Sequence, residues 1–176
     1  MISRMVSTLG LALICATPIA AQDMLTRTAP IVGQNGVPVG NVTLTDAPGG
    51  VLAHIEMIGL TQGWHALHFH DKADCSDPAF KSAGGHVHPM DMKASVHGLL
   101  NPSATDEGDL PNIYAAIDGR ANAEIFSTRV ALRGGTSRAN LLDADGSALV
   151  IHANPDDYRT QPIGGAGVRV ACAAIH

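Results

Sequence analysis

Short stretches of alternating or β-branched residues recur along the chain and predict β-strands. In residues 51–58, every second residue from Val51 to Met57 is apolar, whereas His54 and Glu56 face the opposite side. The predicted strands are Val39–Thr45, Val51–Ile58, Trp64–His70, Ile113–Ile117, Ala121–Ser127, Ala148–His152 and Val168–Ile175. Because stretches with the 3.6-residue period of a helix are scarce, the pattern predicts an all-β fold, an antiparallel sandwich or barrel.

A long segment with neither pattern separates the third and fourth predicted strands. Residues 71–111 are rich in Gly, Pro, Asp, Ser and His and span about forty positions. A loop of this length inside one domain is normally functional and is held by something other than regular backbone hydrogen bonds. Cys75 can fix one end of it, and the histidines indicate that a metal ion fixes the rest.

The N-terminal segment predicts export. An apolar run, Leu9–Ala21, follows a short stretch containing Arg4 and is too short to span a bilayer, which takes about 20 residues. Small side chains around Ala21 fit cleavage by a signal peptidase after that residue. We therefore expect a signal peptide at residues 1–21, one domain at residues 22–176, and a periplasmic or secreted protein that is not held in a membrane.

The charge of the chain excludes one large class of functions. The chain has 11 basic and 16 acidic residues, and loss of Arg4 with the signal peptide leaves 10 basic residues and a formal net charge of −6 instead of −5. An acidic protein without a basic run is unsuited to non-specific nucleic-acid binding, so we expect no nucleic-acid partner. The composition, with 45% apolar and 15% charged residues, is that of an ordinary globular domain and favours a small-molecule role.

Two cysteines remain after cleavage, because Cys15 lies within the signal peptide. An exported chain folds in an oxidising compartment, so we expect Cys75 and Cys172 to form one disulfide bond. A structural bond is favoured over redox chemistry because the chain has no CxxC motif that would lower a thiol pKa.

Histidines are concentrated in one part of the chain, with six of the nine between His65 and His97. His68 and His70 are two positions apart on a predicted strand, so both imidazoles project from one face and can chelate a metal ion. For this pair alone, a solvent-exposed polar face is an equally good interpretation. A metal site therefore needs support from further ligands.

Further candidate ligands follow along the loop. A Gly pair precedes His86 and His88, and the loop continues with His97, Asp106 and Asp109. Mixed histidine and aspartate side chains favour a borderline metal such as zinc. The loop itself therefore predicts a metal site.

A distant strand end offers one more group of ligand types. His152 closes the predicted strand Ala148–His152, and Asp156 and Asp157 follow shortly after it. A strand-end histidine beside acidic residues can complete a site that is built from distant parts of the chain.

These residues together resemble a known family, the copper/zinc superoxide dismutases in their exported bacterial form. The resemblance spans most of the chain after residue 21 and rests on motifs in family order: HALHFHDKADCSD, SAGGHVHP, HGLLNP followed by GDLPN, VIHANPDDY and GGAGVRVACAAI. The family is itself a standard example of the β-sandwich architecture. The resemblance therefore implies a Greek-key β-barrel or sandwich of about eight antiparallel strands with long metal-binding loops.

The resemblance also implies a role for each matching residue. Four histidines match the copper ligands: His68, His70, His86 and His152. Three residues match zinc ligands, of which the first is shared with copper: His86, His97 and Asp109. Asp156 matches a carboxylate that hydrogen-bonds to one ligand of each metal, and Arg169 matches an arginine beside the copper that attracts the anionic substrate. Cys75 and Cys172 match the disulfide bond of the family.

The implied reaction converts two superoxide anions and two protons to dioxygen and hydrogen peroxide by alternate reduction and reoxidation of copper. His86 would be both ligand and proton donor, because an imidazole released from copper can hold a proton on that nitrogen.

The alternative is a non-enzymatic exported copper-binding or buffering protein on the same fold, which would need neither Arg169 nor Asp156. The sequence leaves the oligomeric state, including a homodimer, open.

One position departs from the family pattern. The third zinc histidine normally stands three residues before the aspartate of GDLPN, and here that residue is Asp106. A carboxylate can replace imidazole on zinc, so we expect a zinc site of His86, His97, Asp106 and Asp109. Two alternatives stay open: His88 replaces the missing histidine, or the zinc site is weakened or empty.

Overall fold

The computed structural model describes residues 24–89 and 95–176, which contain eleven β-strands, one short 3-10 turn at Lys81–Ala83 and no α-helix. The strands are β1 (Thr26–Gly33), β2 (Pro38–Ala47), β3 (Gly50–Met57), β4 (Gly63–His65), β5 (Leu67–His70), β6 (Ile113–Ala115), β7 (Ala121–Ser127), β8 (Val130–Ala131), β9 (Ala139–Asn140), β10 (Ser147–His152) and β11 (Arg169–Ile175). The predicted all-β class is confirmed. The predicted signal peptide, residues 1–21, lies outside the described residues.

Each predicted strand is present, and the stretch Trp64–His70 is divided at Ala66 into β4 and β5. In β3 the alternation holds: Val51 and Met57 are buried, whereas His54 and Glu56 are exposed. The loop between β5 and β6 contains only the 3-10 turn and two isolated bridges within its described part.

The prediction missed β1 and the two-residue strands β8 and β9. Pro30 obscured β1, because proline is rare inside a sheet. In the structure Pro30 lies opposite Asn41 of β2, while pairing with β11 is confined to Val32 and Gly33. No ladder bond is therefore lost on the β11 side of Pro30.

Seven strands form one antiparallel sheet in the order β5–β10–β11–β1–β2–β3–β7, so β5 and β7 are its edges. β4 runs almost directly into β5 and pairs with β6, and β6 in turn contacts β7. The β4–β6 pair therefore joins the two edges, and the sheet curls into a barrel. β8 and β9 form a separate parallel pair.

The strands β5 and β10 are buried on both faces. Leu67 and Phe69 of β5 pack into the apolar core of the barrel, so His68 and His70 point to the opposite face. That face is covered by the long loop, which forms bridges between His68 and Asp109 and between His70 and His86. The fold thus places a buried layer of histidines between the barrel wall and the loop.

A disulfide bond ties the long loop to the barrel. Cys75 of the loop and Cys172 of β11 are bonded, with their Cα atoms 5.8 Å apart. Cys172 is fully buried in a small apolar cluster that includes Phe80 and Val150. The predicted pairing is confirmed, and it anchors the loop shortly before His86.

We expect the double substitution Cys75→Ala/Cys172→Ala to lower the free energy of unfolding of the metal-free protein by about 2–5 kcal/mol, the usual cost of losing a native disulfide in a small exported domain. Urea denaturation followed by circular dichroism measures this loss. The parent protein treated with dithiothreitol is the matched control and should show the same shift. Coincident denaturation midpoints of parent and variant would contradict a stabilising role.

Candidate metal centre

Four histidines from three separate segments converge on one point. His68 and His70 come from β5, His152 from the end of β10, and His86 from the loop. One ring nitrogen of each lies within 4.8 Å of the corresponding nitrogens of the other three, and all four residues are buried. The structure thus brings together the complete set that the sequence predicted for copper.

Strand pairing explains this convergence. β5 and β10 are neighbours in the sheet, with His68 opposite Val150 and His70 opposite Ala148. The register of β10 against β11 shifts between Ile151 and His152. The extra residue at this shift is Val170 of β11, so the alternation along β10 is unchanged. Leu149 and Ile151 point into the barrel core, and His152 therefore lies on the face that holds the other two histidines.

The hydrogen bonds of three of these rings decide which nitrogen is free. The bonded pairs are His68 Nε2 with Asp156 Oδ2 (3.0 Å), His70 Nδ1 with Gly84 O (3.0 Å) and His152 Nδ1 with Gly167 O (3.1 Å). Because a neutral imidazole that donates through one nitrogen keeps a lone pair on the other, each ring presents one acceptor nitrogen to the cluster.

Within residues 24–89 and 95–176, no group forms a hydrogen bond with those remaining buried nitrogens, which are His68 Nδ1, His70 Nε2, His86 Nε2 and His152 Nε2. Buried polar atoms are almost always bonded, so four unpartnered nitrogens around one point need an explanation. A metal ion supplies it, since imidazole nitrogens suit copper and the outer hydrogen bonds orient them.

A second group of polar atoms lies on the other side of His86. The nitrogen His86 Nδ1 is 2.8 Å from Asp106 Oδ2 and 3.2 Å from Asp109 Oδ1. His97 Nδ1 is 2.8 Å from Asp109 Oδ1 and 3.9 Å from Asp106 Oδ2. Two histidines and two carboxylates thus face one another, a donor set that zinc accepts.

Asp106 is close to this group but differs from the other three residues. On this side, one ligand atom from each of His68, His86, His97 and Asp109 lies within 4.8 Å of those of the other three. Asp106 belongs to neither four-residue cluster, although it is buried and its Oδ1 accepts a bond from the Gly108 N–H. Its contacts leave two roles open, a ligand or a hydrogen-bond partner of His86.

His88 lies away from both clusters. Its Nδ1 contacts the carbonyl oxygen of Pro89 at 3.0 Å, and its side chain lines a surface cavity with Glu107 and Arg138. The structure therefore does not bring His88 to the position that the alternative zinc set would need.

Asp156 joins the two groups through both carboxylate oxygens. Oδ2 contacts His68 Nε2 and Oδ1 contacts His97 Nε2, each at 3.0 Å. The backbone of Asp156 is held in turn by Asn112, whose amide accepts from Asp156 N–H and donates to its carbonyl oxygen. Asn112 is the last residue of the GDLPN motif, and nothing in the sequence indicated this role.

Burial favours the neutral form of the copper-side histidines of β5 and β10. Burial lowers the pKa of His152 to about 3, and the neighbouring His68 adds to the effect. The pKa of His70 is also well below its usual value because of burial and the nearby His86. Neutral imidazole is the form that binds a metal ion.

In the second group, the aspartate carboxylates outweigh the effect of burial on the histidine pKa values. Burial alone would lower the pKa values of His86 and His97, but hydrogen bonds to Asp106 and Asp109 raise both. Burial would likewise raise the pKa of Asp109, yet the bonds from these two histidines hold it at about 2. The two carboxylates therefore stay ionised and stabilise positive charge beside them, either as protons on these imidazoles or as a divalent cation that replaces the protons.

Arg169 lies at the start of β11 and is half-buried. Its guanidinium donates to the carbonyl oxygens of Phe80 (2.5 Å) and Gly84 (2.7 Å). Since Gly84 O also accepts from His70 Nδ1, a single carbonyl group connects the arginine to the copper-side cluster. Glycine is favoured at position 84 because its φ is +78°, a left-handed conformation, and a Cβ there would also lie 1.8 Å from Asp71 Oδ1.

The remaining buried histidine, His65, has no nitrogen free for a metal ion. Its Nδ1 contacts the carbonyl oxygen of His152 and its Nε2 that of Thr61, both at 2.8 Å. His65 therefore supports the backbone of His152 without joining the cluster.

Comparison with known proteins agrees with this geometry. The family model described as copper/zinc superoxide dismutase (SODC) matches residues 39–175. A superoxide dismutase [Cu-Zn] of Caulobacter vibrioides is 61% identical over 148 residues, which are 84% of this chain and 84% of its own length. Superoxide dismutase [Cu-Zn] 2 of Aquifex aeolicus is 38% identical over 156 residues, 88% of each chain.

Solved structures are similar as well. The crystal structure of a SOD-like protein from Bacillus subtilis matches with a TM-score of 0.78 and 33% identity, covering 85% of this chain and 97% of that one. The Cu/Zn superoxide dismutase from Brucella abortus matches with a TM-score of 0.67 and 26% identity, covering 86% and 100%. Taken with the buried histidine clusters, these matches show that the chain belongs to the copper/zinc superoxide dismutase family.

Proposed function

We propose that His68, His70, His86 and His152 bind the copper ion of a superoxide dismutase. The protein is an enzyme with copper and zinc as cofactors, and it converts superoxide to dioxygen and hydrogen peroxide. The observation that supports the ligand set is the convergence of four buried, unpartnered ring nitrogens. Copper supplies one-electron chemistry when bound, since it alternates between two oxidation states.

Zinc is bound by His86, His97, Asp106 and Asp109 in this proposal. This set is supported by the short distances, 2.8–3.9 Å, between the histidine ring nitrogens and the aspartate oxygens. Ligand atoms that each lie about 2 Å from one ion must also lie close to one another. Asp156 orients one histidine of each site, and such orienting groups typically change metal affinity by about 10- to 100-fold.

His86 is placed to hold a proton for the product. Its Nδ1 faces the two carboxylates, whereas its Nε2 faces the copper-side cluster and has no hydrogen-bond partner. When released from copper, Nε2 would be free to hold a proton on the side where the peroxide forms, and His86 would donate the proton there. Asp106 and Asp109 keep the ring oriented while the proton moves.

Arg169 guides the substrate in this proposal. The net charge of the chain is negative and the substrate is an anion, so attraction must be local. Arg169 is linked through Gly84 O to His70, and its two carbonyl contacts fix the direction of its charge. Steering by a positive cleft raises association rates by about 10- to 1000-fold, superoxide dismutase being a standard example.

We expect Arg169→Ala to lower kcat/KM by about tenfold or more and to weaken its dependence on ionic strength, because the local attraction is lost. Arg169→Lys is the matched control: it keeps the charge but not the two-pronged contact, so its salt dependence should stay close to that of the parent. Superoxide decay after pulse radiolysis, measured over a range of salt concentrations, gives both quantities. An alanine variant with the salt dependence of the parent would remove Arg169 from substrate guidance.

The alternative of a copper carrier is not favoured, and one experiment separates the two functions. Protein loaded with copper and zinc should accelerate superoxide decay far beyond the metal-free protein. A carrier would bind one copper ion per chain and leave the decay unchanged.

Export and assembly remain predictions. The described residues include no helix long and apolar enough to cross a membrane, and we propose cleavage after Ala21 followed by release into the periplasm or the medium. Mass spectrometry of the exported protein should then find Gln22 at the N-terminus, whereas an intact residue 1 would contradict export by cleavage.

The proposed assembly is a homodimer. Sedimentation equilibrium measures the mass of the particle in solution and so distinguishes a homodimer from a monomer.

A further inference from the structure

A glutamine outside the predicted ligand set holds the backbone of His97. Gln161 lies in the segment between β10 and β11, 64 positions from His97 along the chain. Its Oε1 accepts a hydrogen bond from His97 N–H at 3.0 Å, and its Nε2 donates to His97 O at 2.8 Å. One planar amide therefore pairs with both backbone groups of a single residue.

The amide of Gln161 is fixed by its own surroundings. Its Nε2 also donates to Arg159 O at 3.1 Å, so both donor hydrogens are used. The turn that presents it is closed by Asp157, whose Oδ1 accepts from the N–H groups of Arg159 (2.9 Å) and Thr160 (2.7 Å). Hydrogen bonds therefore hold both the turn and the amide of Gln161 in place where it contacts His97.

The imidazole of His97 is held from a second direction. Asp156 Oδ1 accepts from its Nε2 at 3.0 Å. Gly164 packs directly on this contact, because a Cβ at that position would lie 1.6 Å from Asp156 Oδ1 and 3.0 Å from His97 Nε2. With the backbone and Nε2 both held, the remaining Nδ1 faces Asp109 Oδ1 at 2.8 Å.

We infer that Gln161 is a positioning residue of the zinc site, which fixes the backbone of His97 so that its Nδ1 is presented to the ion. The inference rests on the proposed ligation of zinc by His97. Partners that orient a metal ligand typically change affinity by about 10- to 100-fold. Gln161 differs from Asp156 in one respect: it contacts no copper-side histidine in the described part of the chain, so its effect should be confined to zinc.

The test measures zinc and copper affinity separately. We expect Gln161→Ala to weaken zinc binding by about tenfold or more, in competition with a chromophoric chelator, and to leave copper affinity within about twofold of the parent. Gln161→Glu keeps the size but presents a carboxylate oxygen to two carbonyl oxygens, so the loss should be at least as large. Cobalt(II) bound at the zinc site should show a changed visible absorption spectrum in both variants.

Gln34 offers a matched control. Its Nε2 donates to Arg169 O at 3.0 Å, which is the same kind of side-chain to backbone bond at a different place. Gln34→Ala should leave zinc affinity and the cobalt spectrum unchanged. A loss of zinc affinity in this control equal to that of Gln161→Ala would show that the effect is not specific and would overturn the inference.

The variant His97→Ala, titrated in parallel, separates a failure of the ligand set from a failure of the inference. If His97→Ala binds zinc as the parent does, the proposed ligand set is wrong and the inference falls with it. If His97→Ala loses zinc while Gln161→Ala keeps the zinc affinity and cobalt spectrum of the parent, the ligand set stands and the inference is wrong. Equal losses of copper and zinc affinity in Gln161→Ala would indicate a general structural role and also overturn it.

Discussion

Replacing His152 by alanine should abolish dismutation while the barrel stays folded. The substitution removes one of the four unpartnered nitrogens and breaks only the bond from Nδ1 to Gly167 O. Loss of an orienting group alone weakens metal binding by about 10- to 100-fold, so loss of a ligand should lower copper affinity and kcat/KM by at least about a hundredfold. Copper titration and superoxide decay after pulse radiolysis measure the two effects.

His54→Ala is the control for this experiment. His54 is also a strand histidine, but it lies exposed on β3, where it contacts Glu56 and Glu124. Its removal should leave copper content and superoxide decay unchanged. A His152→Ala variant with the copper content and rate of the parent would contradict the ligand set, and circular dichroism of both metal-free variants verifies that they fold.

The second large effect concerns Asp106, which stands where the family pattern has a histidine. If Asp106 is a zinc ligand, Asp106→Ala should weaken zinc binding by at least about a hundredfold, whereas Asp106→His should retain it because imidazole binds zinc equally well. Elemental analysis of purified protein and zinc competition with a chelator measure the outcome.

Asp106→Asn distinguishes a ligand from a hydrogen-bond partner. The amide keeps the shape of the side chain and can still accept a bond from His86 Nδ1, which lies 2.8 Å from Asp106 Oδ2, but it is a much poorer zinc ligand than a carboxylate. Zinc affinity lost in the asparagine variant supports ligation. Parent-like zinc content and activity in Asp106→Ala would show that Asp106 does not bind the ion.

The sequence predicted the local geometry of the site well where a simple period governs it. His68 and His70 share a face because side chains alternate along a strand, and the structure places both on the face opposite Leu67 and Phe69. The position of His152 beside them depends on the pairing of β5 with β10. No period in the sequence reveals which strands are neighbours, so the place of His152 came from the family resemblance.

Loops were the part that sequence patterns could not describe. Gln161 and His97 lie 64 positions apart in segments without regular structure, and their contact depends on how two loops fold over the barrel. β1 was missed for a different reason: Pro30 argues against a strand, and only the limited pairing with β11 removes that objection. Asp106 remained open because the residue departs from the motif that identified its neighbours.

The central claim is that nitrogens from β5, β10 and the loop bind one copper ion, with zinc on the far side of His86. X-ray diffraction at the copper and zinc absorption edges, from crystals of protein loaded with both ions, tests it directly. We expect a copper peak about 2 Å from His68 Nδ1, His70 Nε2, His86 Nε2 and His152 Nε2, and a zinc peak at a similar distance from His86 Nδ1 and His97 Nδ1. A copper peak out of bonding reach of His152, or a zinc peak bonded to His88 in place of Asp106, would contradict these ligand sets.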